Sequence, residues 1–315
     1  MSRSIGAQAL AEASPEGVPD WAFVVMPADP SSASAPTADE RPRRVPGSDR
    51  AFTPAQLADL FTTPDWHPAG HPPMPEVVAF GRKPDVFACG YCHLPNGQGR
   101  PENSSLTGLS ARYITEQVRA FRDGLRRSSE PRHLPTAYMV SAETKVSEPE
   151  LEAAAQYFAG LKPRPWIRVL ETDRVARTRV GGWMLVRSGE AGTEPIGARI
   201  IELPEDLERT ELRDDTAGFV AYVPAGSVRK GEALVVAGGG GRTVPCASCH
   251  GAVLRGGVDA PPLAGRSPSY IVRQLYDFKY GARHGPGAKP MQAAVAGLTV
   301  TDMTAIAAYT ASLDP

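Results

Sequence analysis

Two Cys-x-x-Cys-His motifs contain all four cysteines of this 315-residue chain: Cys89-Gly-Tyr-Cys92-His93 and Cys246-Ala-Ser-Cys249-His250. In such a motif the two thiols can form thioethers with the vinyl groups of a haem, and the histidine that follows can bind the iron. The sequence therefore predicts two covalently attached haems, with the four cysteines as attachment points and the two histidines as iron ligands. A chain of this length has room for two domains.

Other uses of paired cysteines fit the sequence less well. A four-cysteine zinc site usually has about 15 to 20 residues between its pairs, whereas Cys92 and Cys246 are 154 residues apart. A thioredoxin-type dithiol needs a strand before the pair and a helix after it, but here Gly- and Pro-rich loops follow both histidines. Structural disulfides are a third alternative at this point.

The chain contains an internal repeat. Shifting the sequence by 157 residues superposes the two motifs, and the match continues without a gap to Arg126/Arg283. Nine of 21 positions are identical between residues 106–126 and 263–283: Leu106/Leu263, Gly108/Gly265, Ser110/Ser267, Tyr113/Tyr270, Ile114/Ile271, Gln117/Gln274, Phe121/Phe278, Gly124/Gly281 and Arg126/Arg283. Apolar residues recur at i, i+4 and i+7, which predicts an amphipathic helix in each copy, with Ser110 or Ser267 at its N-cap.

A second matched segment follows in each copy, now at an offset of 152. This offset pairs Ser147 and Glu150 with Thr299 and Asp302. Both pairs have the pattern of a capping box, with aspartate in place of glutamate in the second copy. The pattern predicts that each copy ends in one helix.

One methionine in each copy is a candidate for the second iron ligand. The offset of 152 pairs Met139 with Met291, and a thioether sulfur opposite histidine closes a haem iron and suits electron transfer. Filling a gap in the core is the alternative role for these methionines. Met303 falls on the apolar face of the terminal helix and is predicted to be a core residue. His133 or His284 in place of a methionine is the less symmetric alternative.

The order of these elements resembles class I cytochrome c. It runs from Cys-x-x-Cys-His through Leu-x-Gly-x-Ser-x-x-Tyr-Ile and a Gln-x-x-x-Phe helix to a methionine and a terminal helix with Ala-x-Tyr-x-x-x-Leu. Because this order occurs twice, the chain resembles the tandem dihaem cytochromes c, of the cytochrome c-four-like two-domain type. The resemblance implies a mainly α fold with one small haem domain at residues 76–162 and another at residues 226–315. It also implies two covalently bound haem c groups with these axial ligands: His93 and Met139, and His250 and Met291.

The same resemblance implies a function in electron transfer. Members of this family shuttle single electrons in the periplasm, between a dehydrogenase or quinol-oxidising complex and a terminal oxidase or reductase. We therefore expect an electron carrier without catalytic residues rather than an enzyme. A dihaem peroxidase or an oxidase of small sulfur compounds is the alternative, as is a cytochrome subunit bound permanently to a dehydrogenase.

Two segments lie outside the resemblance. Residues 1–75 are rich in Pro, Ala and Ser and are predicted to form an arm with a short strand at Trp21–Val25. His67 and His71, in a Pro-rich part of this arm, are interpreted as loop or surface residues rather than ligands. Residues 163–225 are predicted to form a small β-rich insert, because short apolar runs alternate there with Gly, Pro and Asp. These runs begin at Trp166, Trp183, Ala198 and Gly218.

Charge and hydropathy narrow the range of partners. With 34 Lys and Arg against 35 Asp and Glu, the chain has no uniform positive field that would bind nucleic acid. No apolar run reaches the roughly 18 residues of a membrane-spanning helix, so no transmembrane segment is expected. The N-terminus has neither a lysine-rich start nor an apolar stretch, so we expect no export signal within the sequence.

Overall fold

The strands all lie between residues 167 and 224, with one short helix among them, according to a computed structural model that describes residues 17–27, 40–143 and 145–315. Residues 1–16 and 28–39 of the predicted arm lie outside the described residues. In chain order, the helices are α1 (Pro54–Ala58), α2 (Glu76–Ala79), α3 (Cys89–His93), α4 (Ala111–Arg122), α5 (Leu134–Glu143), α6 (Glu148–Ala159), α7 (Leu207–Glu211), α8 (Ser227–Ala237), α9 (Ala247–His250), α10 (Pro268–Lys279), α11 (Lys289–Val295) and α12 (Val300–Ala311). The strands are β1 (Ile167–Thr172), β2 (Arg174–Ala176), β3 (Thr178–Gly181), β4 (Met184–Arg187), β5 (Thr193–Pro195), β6 (Ile201–Pro204) and β7 (Phe219–Pro224).

Helices α4 and α10 are the matched amphipathic helices of the two copies. Each begins after a serine whose hydroxyl accepts a hydrogen bond from a backbone N–H three residues later, which confirms Ser110 and Ser267 as N-caps. An N-cap of this kind satisfies one of the N–H groups that a helix start leaves unpaired. The predicted apolar stripes are buried: Ile114, Val118 and Phe121 in α4, and Ile271, Leu275 and Phe278 in α10.

The terminal helices α6 and α12 both open with the predicted capping box. The Ser147 and Thr299 hydroxyls accept the N–H groups of Glu150 and Asp302, and the two carboxylates accept the N–H of their cap residues in return. In the second copy α12 packs against α8 and α10, whereas in the first copy α6 packs against α4 and the single turn α2. Met303 is fully buried in the α12 core, as predicted.

The repeat is visible in the backbone as well as in the sequence. Positive φ angles recur at the offset of 157 residues: Leu94/Gly251, Gly97/Leu254, Gly99/Gly256, Gly108/Gly265 and Gly124/Gly281. Gly99 shows why glycine is required in this loop, because an added Cβ would lie 2.6 Å from the Ser104 carbonyl oxygen. The loop after each Cys-x-x-Cys-His motif therefore follows the same path in both copies.

The segment between the copies forms three small sheets. Strand β7 is central in one of them, where it pairs parallel to β1, with Ile167 opposite Phe219, and antiparallel to β6, with Ile201 opposite Tyr222. Strands β2 and β5 form an antiparallel pair, as do β3 and β4. The four predicted strands correspond to β1, β4, β6 and β7. Strands β2, β3 and β5 were not predicted, because they are only three or four residues long and are mostly not buried.

The segment Trp21–Val25 is a turn and not the predicted strand. The N–H groups of Ala22 and Phe23 both donate to the Pro19 carbonyl, at 2.9 and 3.0 Å, so the backbone curls and has no straight edge for sheet pairing. The apolar side chains are used in packing instead. Phe23 is buried and meets the ring of Tyr276 edge-on, with ring centres 5.7 Å apart.

His67 and His71 lie in a loop, as predicted, and both side chains are largely buried. This Pro-rich loop is folded against the insert, because the neighbouring Trp66 is buried and its Nε1 donates to the Leu212 carbonyl at 2.7 Å. The His71 side chain is only 2% exposed. His67 is paired with Asp214 of the insert.

No single helix in the described parts of the chain combines the length and apolar character needed to span a membrane. The segments Pro286–Val295 and Val300–Ala311 meet that requirement only when taken together, and they are bent by 107°. The second of these segments is α12, most of whose residues are buried within the second copy.

Candidate functional site

Each Cys-x-x-Cys-His motif folds into one helical turn. Residues Cys89–His93 form α3, and Cys246 caps the turn α9 that ends at His250. The turn stops in both copies because the next residue has a positive φ, 63° at Leu94 and 87° at Gly251. The geometry therefore presents two thiols and one imidazole from a single short turn.

Both motif histidines are held by the same hydrogen bond. The Nδ1 atom of His93 lies 2.8 Å from the Ser104 carbonyl oxygen, and that of His250 lies 2.7 Å from the Pro261 carbonyl oxygen, at the offset of 157. Burial lowers the pKa of both rings, which keeps the imidazoles neutral. A neutral ring that donates through Nδ1 has Nε2 as its acceptor atom, which is the arrangement of a metal-ligating histidine.

The cysteines lie in two pairs, one on each motif turn, and no disulfide joins them. Burial raises the pKa of Cys92 and raises that of Cys246 to about 11, whereas the thiols of a redox-active pair have a lowered pKa. The one set of three or more possible metal ligands found in the described part of the chain contains no cysteine.

Residues of the second motif line a cavity of about 950 Å³. Cys246, Cys249, His250 and Met291 all line it. Its apolar walls come from α10, α11 and α12 and from the loop before α12, and include these side chains: Ile271, Leu275, Phe278, Val295, Leu298 and Ile306. The structure thus brings together, around one space, the four residues predicted to bind the second haem.

The first motif is arranged differently. Cys89, Cys92 and His93 lie together on α3, but they do not line this large cavity. Met139 is half-buried on α5, a helix that packs against α4. The role of Met139 as an iron ligand stays a prediction.

The cavity also reaches a polar bridge between the two copies. The bridge consists of one tyrosine, one glutamine and one arginine from each copy: Tyr113, Gln117, Arg126, Tyr270, Gln274 and Arg283. Each arginine donates to the tyrosine and the glutamine of the other copy, Arg126 to Tyr270 and Gln274 at 3.2 and 2.9 Å, and Arg283 to Tyr113 and Gln117 at 2.9 and 2.5 Å. The two halves therefore exchange equivalent hydrogen bonds, as the halves of a two-fold interface do.

The bridge holds positive charge that its own residues do not neutralise. Arg126 and Arg283 are both 8% exposed, and the partners given above are neutral. Burial lowers the pKa of Arg126, and the nearby Arg283 lowers it further. Burial raises the pKa of Tyr270, but Arg126 and Arg283, together with a hydrogen bond to Ser104 and the charge of Arg266, outweigh this and lower it to about 8. Such a site suits carboxylates, which accept charge-assisted hydrogen bonds from arginine.

The sequence itself contains a signal for this bridge. All six residues belong to the nine identities between the copies, and most of the remaining identities have local roles as caps, glycines or apolar residues. Identical polar residues on an amphipathic helix need another explanation, and contact between the copies provides it.

The residues around the cavity fit a haem c. The two thiols can bind its vinyl groups, His250 and Met291 can bind its iron, and the arginine bridge can bind its propionate carboxylates. The first copy repeats the turn, the anchored histidine and half of the bridge.

The chain resembles known cytochromes. Residues 228–314 match the family model for cytochrome c. The chain is 26% identical over 232 residues to the thiosulfate dehydrogenase electron acceptor of Thiomonas intermedia, which covers 73% of this chain and 80% of the relative. It is 25% identical to the cytochrome c4 of Pseudomonas aeruginosa, over 70% of this chain and 81% of the relative.

A solved structure of a thiosulfate dehydrogenase (TsdBA) from Marichromatium purpuratum is also similar. The match has 25% sequence identity and a TM-score of 0.47, and it covers 72% of this chain. The present chain spans only 37% of that larger protein.

Proposed function

We propose that this chain, which is similar to a cytochrome c4, is a c-type cytochrome that carries two haems and transfers single electrons between redox proteins in the periplasm. The first haem would be held by Cys89, Cys92, His93 and Met139. The second would be held by the matched residues Cys246, Cys249, His250 and Met291.

The observation that carries the proposal is the cavity around the second motif. It combines attachment thiols, an anchored neutral imidazole, a thioether and an arginine pair. A planar metal cofactor with carboxylate groups would use all of these groups at the same time.

Each part of this site has a task that its position explains. The bound haem supplies the one-electron redox chemistry. The Pro261 carbonyl fixes the orientation of the His250 ring, and the apolar side chains of the cavity exclude water, which controls the potential of a bound metal. Arg126 and Arg283 orient the carboxylates of the cofactor at the junction of the two copies.

We further propose that the electron donor is a substrate-oxidising dehydrogenase. The relative from Thiomonas intermedia is named as the electron acceptor of thiosulfate dehydrogenase, so that enzyme is the first donor to test. Lys and Arg outnumber Asp and Glu by four in residues 226–315. This positive end would attract an acidic surface on the donor and speed their encounter.

The first experiment is absorption and low-temperature paramagnetic resonance spectroscopy of the protein matured with a c-haem export system. We expect two low-spin haems per chain. Met139→Ala and Met291→Ala should each abolish the methionine-to-iron band of one haem. A high-spin haem that binds external ligands in the unmodified protein would contradict the carrier, and peroxide and small sulfur compounds would then be tested as substrates.

The second experiment tests the donor. The oxidised protein is mixed with thiosulfate dehydrogenase and thiosulfate in a stopped-flow instrument, and haem reduction is followed at low and high salt. We expect rapid reduction that slows as salt screens the attraction. Reduction at the rate seen without the enzyme would exclude this donor, but it would leave the spectroscopic result standing.

A further inference from the structure

Three metal-ligating side chains meet where the N-terminal arm crosses the insert. The Nε2 atom of His67 lies 3.1 Å from Asp214 Oδ1 and 3.9 Å from Asp215 Oδ1. One ligand atom from each residue lies within 4.8 Å of the other two. Zinc binds nitrogen and oxygen at about 2.0 to 2.2 Å, so neighbouring ligand atoms around one ion are about 3 to 4 Å apart. The two measured separations fall within that range.

Asp215 has too few partners for its burial. Its side chain is 4% exposed, and its Oδ1 atom accepts no hydrogen bond from the described residues. Burying a carboxylate oxygen without a partner is strongly unfavourable, so such atoms usually face a cation or a water. This oxygen is the same atom that faces His67.

Asp214 is instead held in place from several sides. Its Oδ1 atom accepts the N–H and the hydroxyl of Thr216 at 2.9 and 2.7 Å, and its Oδ2 atom accepts from Arg209 at 2.8 Å. These contacts fix the position of the carboxylate next to His67. Ligands oriented in this way by surrounding hydrogen bonds are typical of metal sites.

The local charge favours a divalent cation. The ionisable groups around the cluster are three carboxylates, one guanidinium and two imidazoles: Asp65, Asp214, Asp215, Arg209, His67 and His71. The three carboxylates and the one guanidinium carry two net negative charges, which one divalent ion neutralises.

We propose that His67, Asp214 and Asp215 bind a divalent transition-metal ion, and that this ion is Zn²⁺. One imidazole with two carboxylates suits zinc better than magnesium or calcium, which prefer oxygen ligands alone. Solvent completes the coordination. The site contains no residue of either Cys-x-x-Cys-His motif and no cysteine.

An ion at this position joins three parts of the chain. His67 belongs to the arm, and Asp214 and Asp215 belong to the insert. The first haem unit is connected through Asn96, whose side-chain amide donates to the Asp215 carbonyl. The ion has a structural role: its ligands come together only in the folded protein, so its binding stabilises the folded state.

The test uses the full-length, haem-loaded protein after removal of metals with a chelator. Zn²⁺ is titrated in by calorimetry, and bound zinc is counted by elemental analysis. We expect one zinc per chain and a higher midpoint of thermal unfolding. Asp215→Asn and His67→Ala should each weaken binding at least about 100-fold. Glu190→Gln removes an exposed carboxylate of the same insert and should bind zinc as the unmodified protein does.

Two variants are needed because the buried Asp215→Asn change can affect folding, whereas the His67 side chain is 18% exposed and tolerates replacement better. X-ray absorption of the bound zinc should show nitrogen and oxygen ligands and no sulfur. The proposal is overturned if the unmodified protein binds no stoichiometric zinc, or if both variants bind it with unchanged affinity. In either case the cluster is a set of ion pairs between histidines and carboxylates.

Discussion

Replacing Gly231 by alanine should force helix α8 away from helix α12 in the second copy of the repeat. Gly231 lies where the two helices cross, and a Cβ added there would lie 2.0 Å from the Ala305 carbonyl oxygen and 2.7 Å from the Tyr309 Cβ. Contacts of a real Cβ are essentially never shorter than 3.0 Å. The two backbones must therefore separate by about 1 Å.

The cost follows from the side chains packed in the same core. Leu234, Val235 and Ile306 are at most 2% exposed, and burying each of them contributes about 2 kcal/mol. A gap of about 1 Å forfeits about a quarter to a half of the contact energy, or roughly 1.5 to 3 kcal/mol for the three together. Alanine gains about 1 kcal/mol over glycine inside a helix. The expected net loss of stability is thus about 0.5 to 2 kcal/mol.

The measurement is urea unfolding of the haem-loaded protein, followed by circular dichroism. Gly160→Ala is the matched control, because Gly160 has a φ of −76° and an added Cβ there would have only ordinary contacts at 3.5 Å. The control should be unchanged or slightly more stable. If Gly231→Ala were as stable as the unmodified protein, the close helix crossing would be refuted.

Three further predictions concern the second unit and its bridge. Burial raises the pKa of Asp302, but an ion pair with a lysine, the helix cap and a second ion pair outweigh it and lower the pKa to about 2. The Asp302 carboxylate therefore contributes about 2 kcal/mol to the free energy of unfolding above about pH 4, and this contribution is lost as the pH falls towards 2. In urea unfolding at pH 5 and at pH 2, Asp302→Asn should remove that part of the loss of stability in acid. Met291→Ala should abolish the methionine-to-iron band, whereas Met303→Ala should keep the band and lower stability by about 2 to 5 kcal/mol; the opposite pattern would exchange their roles. Arg126→Met and Arg283→Met should each lower a haem reduction potential by on the order of 50 mV, because a nearby positive charge favours the reduced form. An unchanged potential in a redox titration would show that the bridge does not act on the haems.

Features that depend on neighbouring residues could be predicted from the sequence. The Ser110 and Ser267 caps, and the capping boxes at Ser147 and Thr299, involve hydrogen bonds between residues three positions apart. Each copy of the repeat repeats these local interactions. The burial of Met303 followed from its position on an apolar helix face for the same reason.

Features that depend on how distant segments meet could not be predicted. The apolar run Trp21–Val25 fits a strand as well as a buried turn, and only the hydrogen bonds to the Pro19 carbonyl decide between them. The contact of His67 with Asp214 joins residues 147 positions apart. Nothing near either residue in the sequence indicates the other.

The two copies differ in the helices that pack against their terminal helix, and in the first copy the insert contacts the Cys-x-x-Cys-His turn and the loop after it. The second unit has the long helix α8 against α12, whereas the first has only the single turn α2 against α6. In the first unit the insert contacts the motif and its loop directly: Arg213 donates to the Tyr91 carbonyl at 2.8 Å, and Gln98 donates to the Ala217 carbonyl at 3.2 Å. Polar groups of a buried loop need such partners. The insert also contacts the second copy, where Ile200 and Val223 lie in the core and Glu202 accepts hydrogen bonds from Ser267 and Ser269. It therefore does more than separate the two copies, and removing it should destabilise both of them.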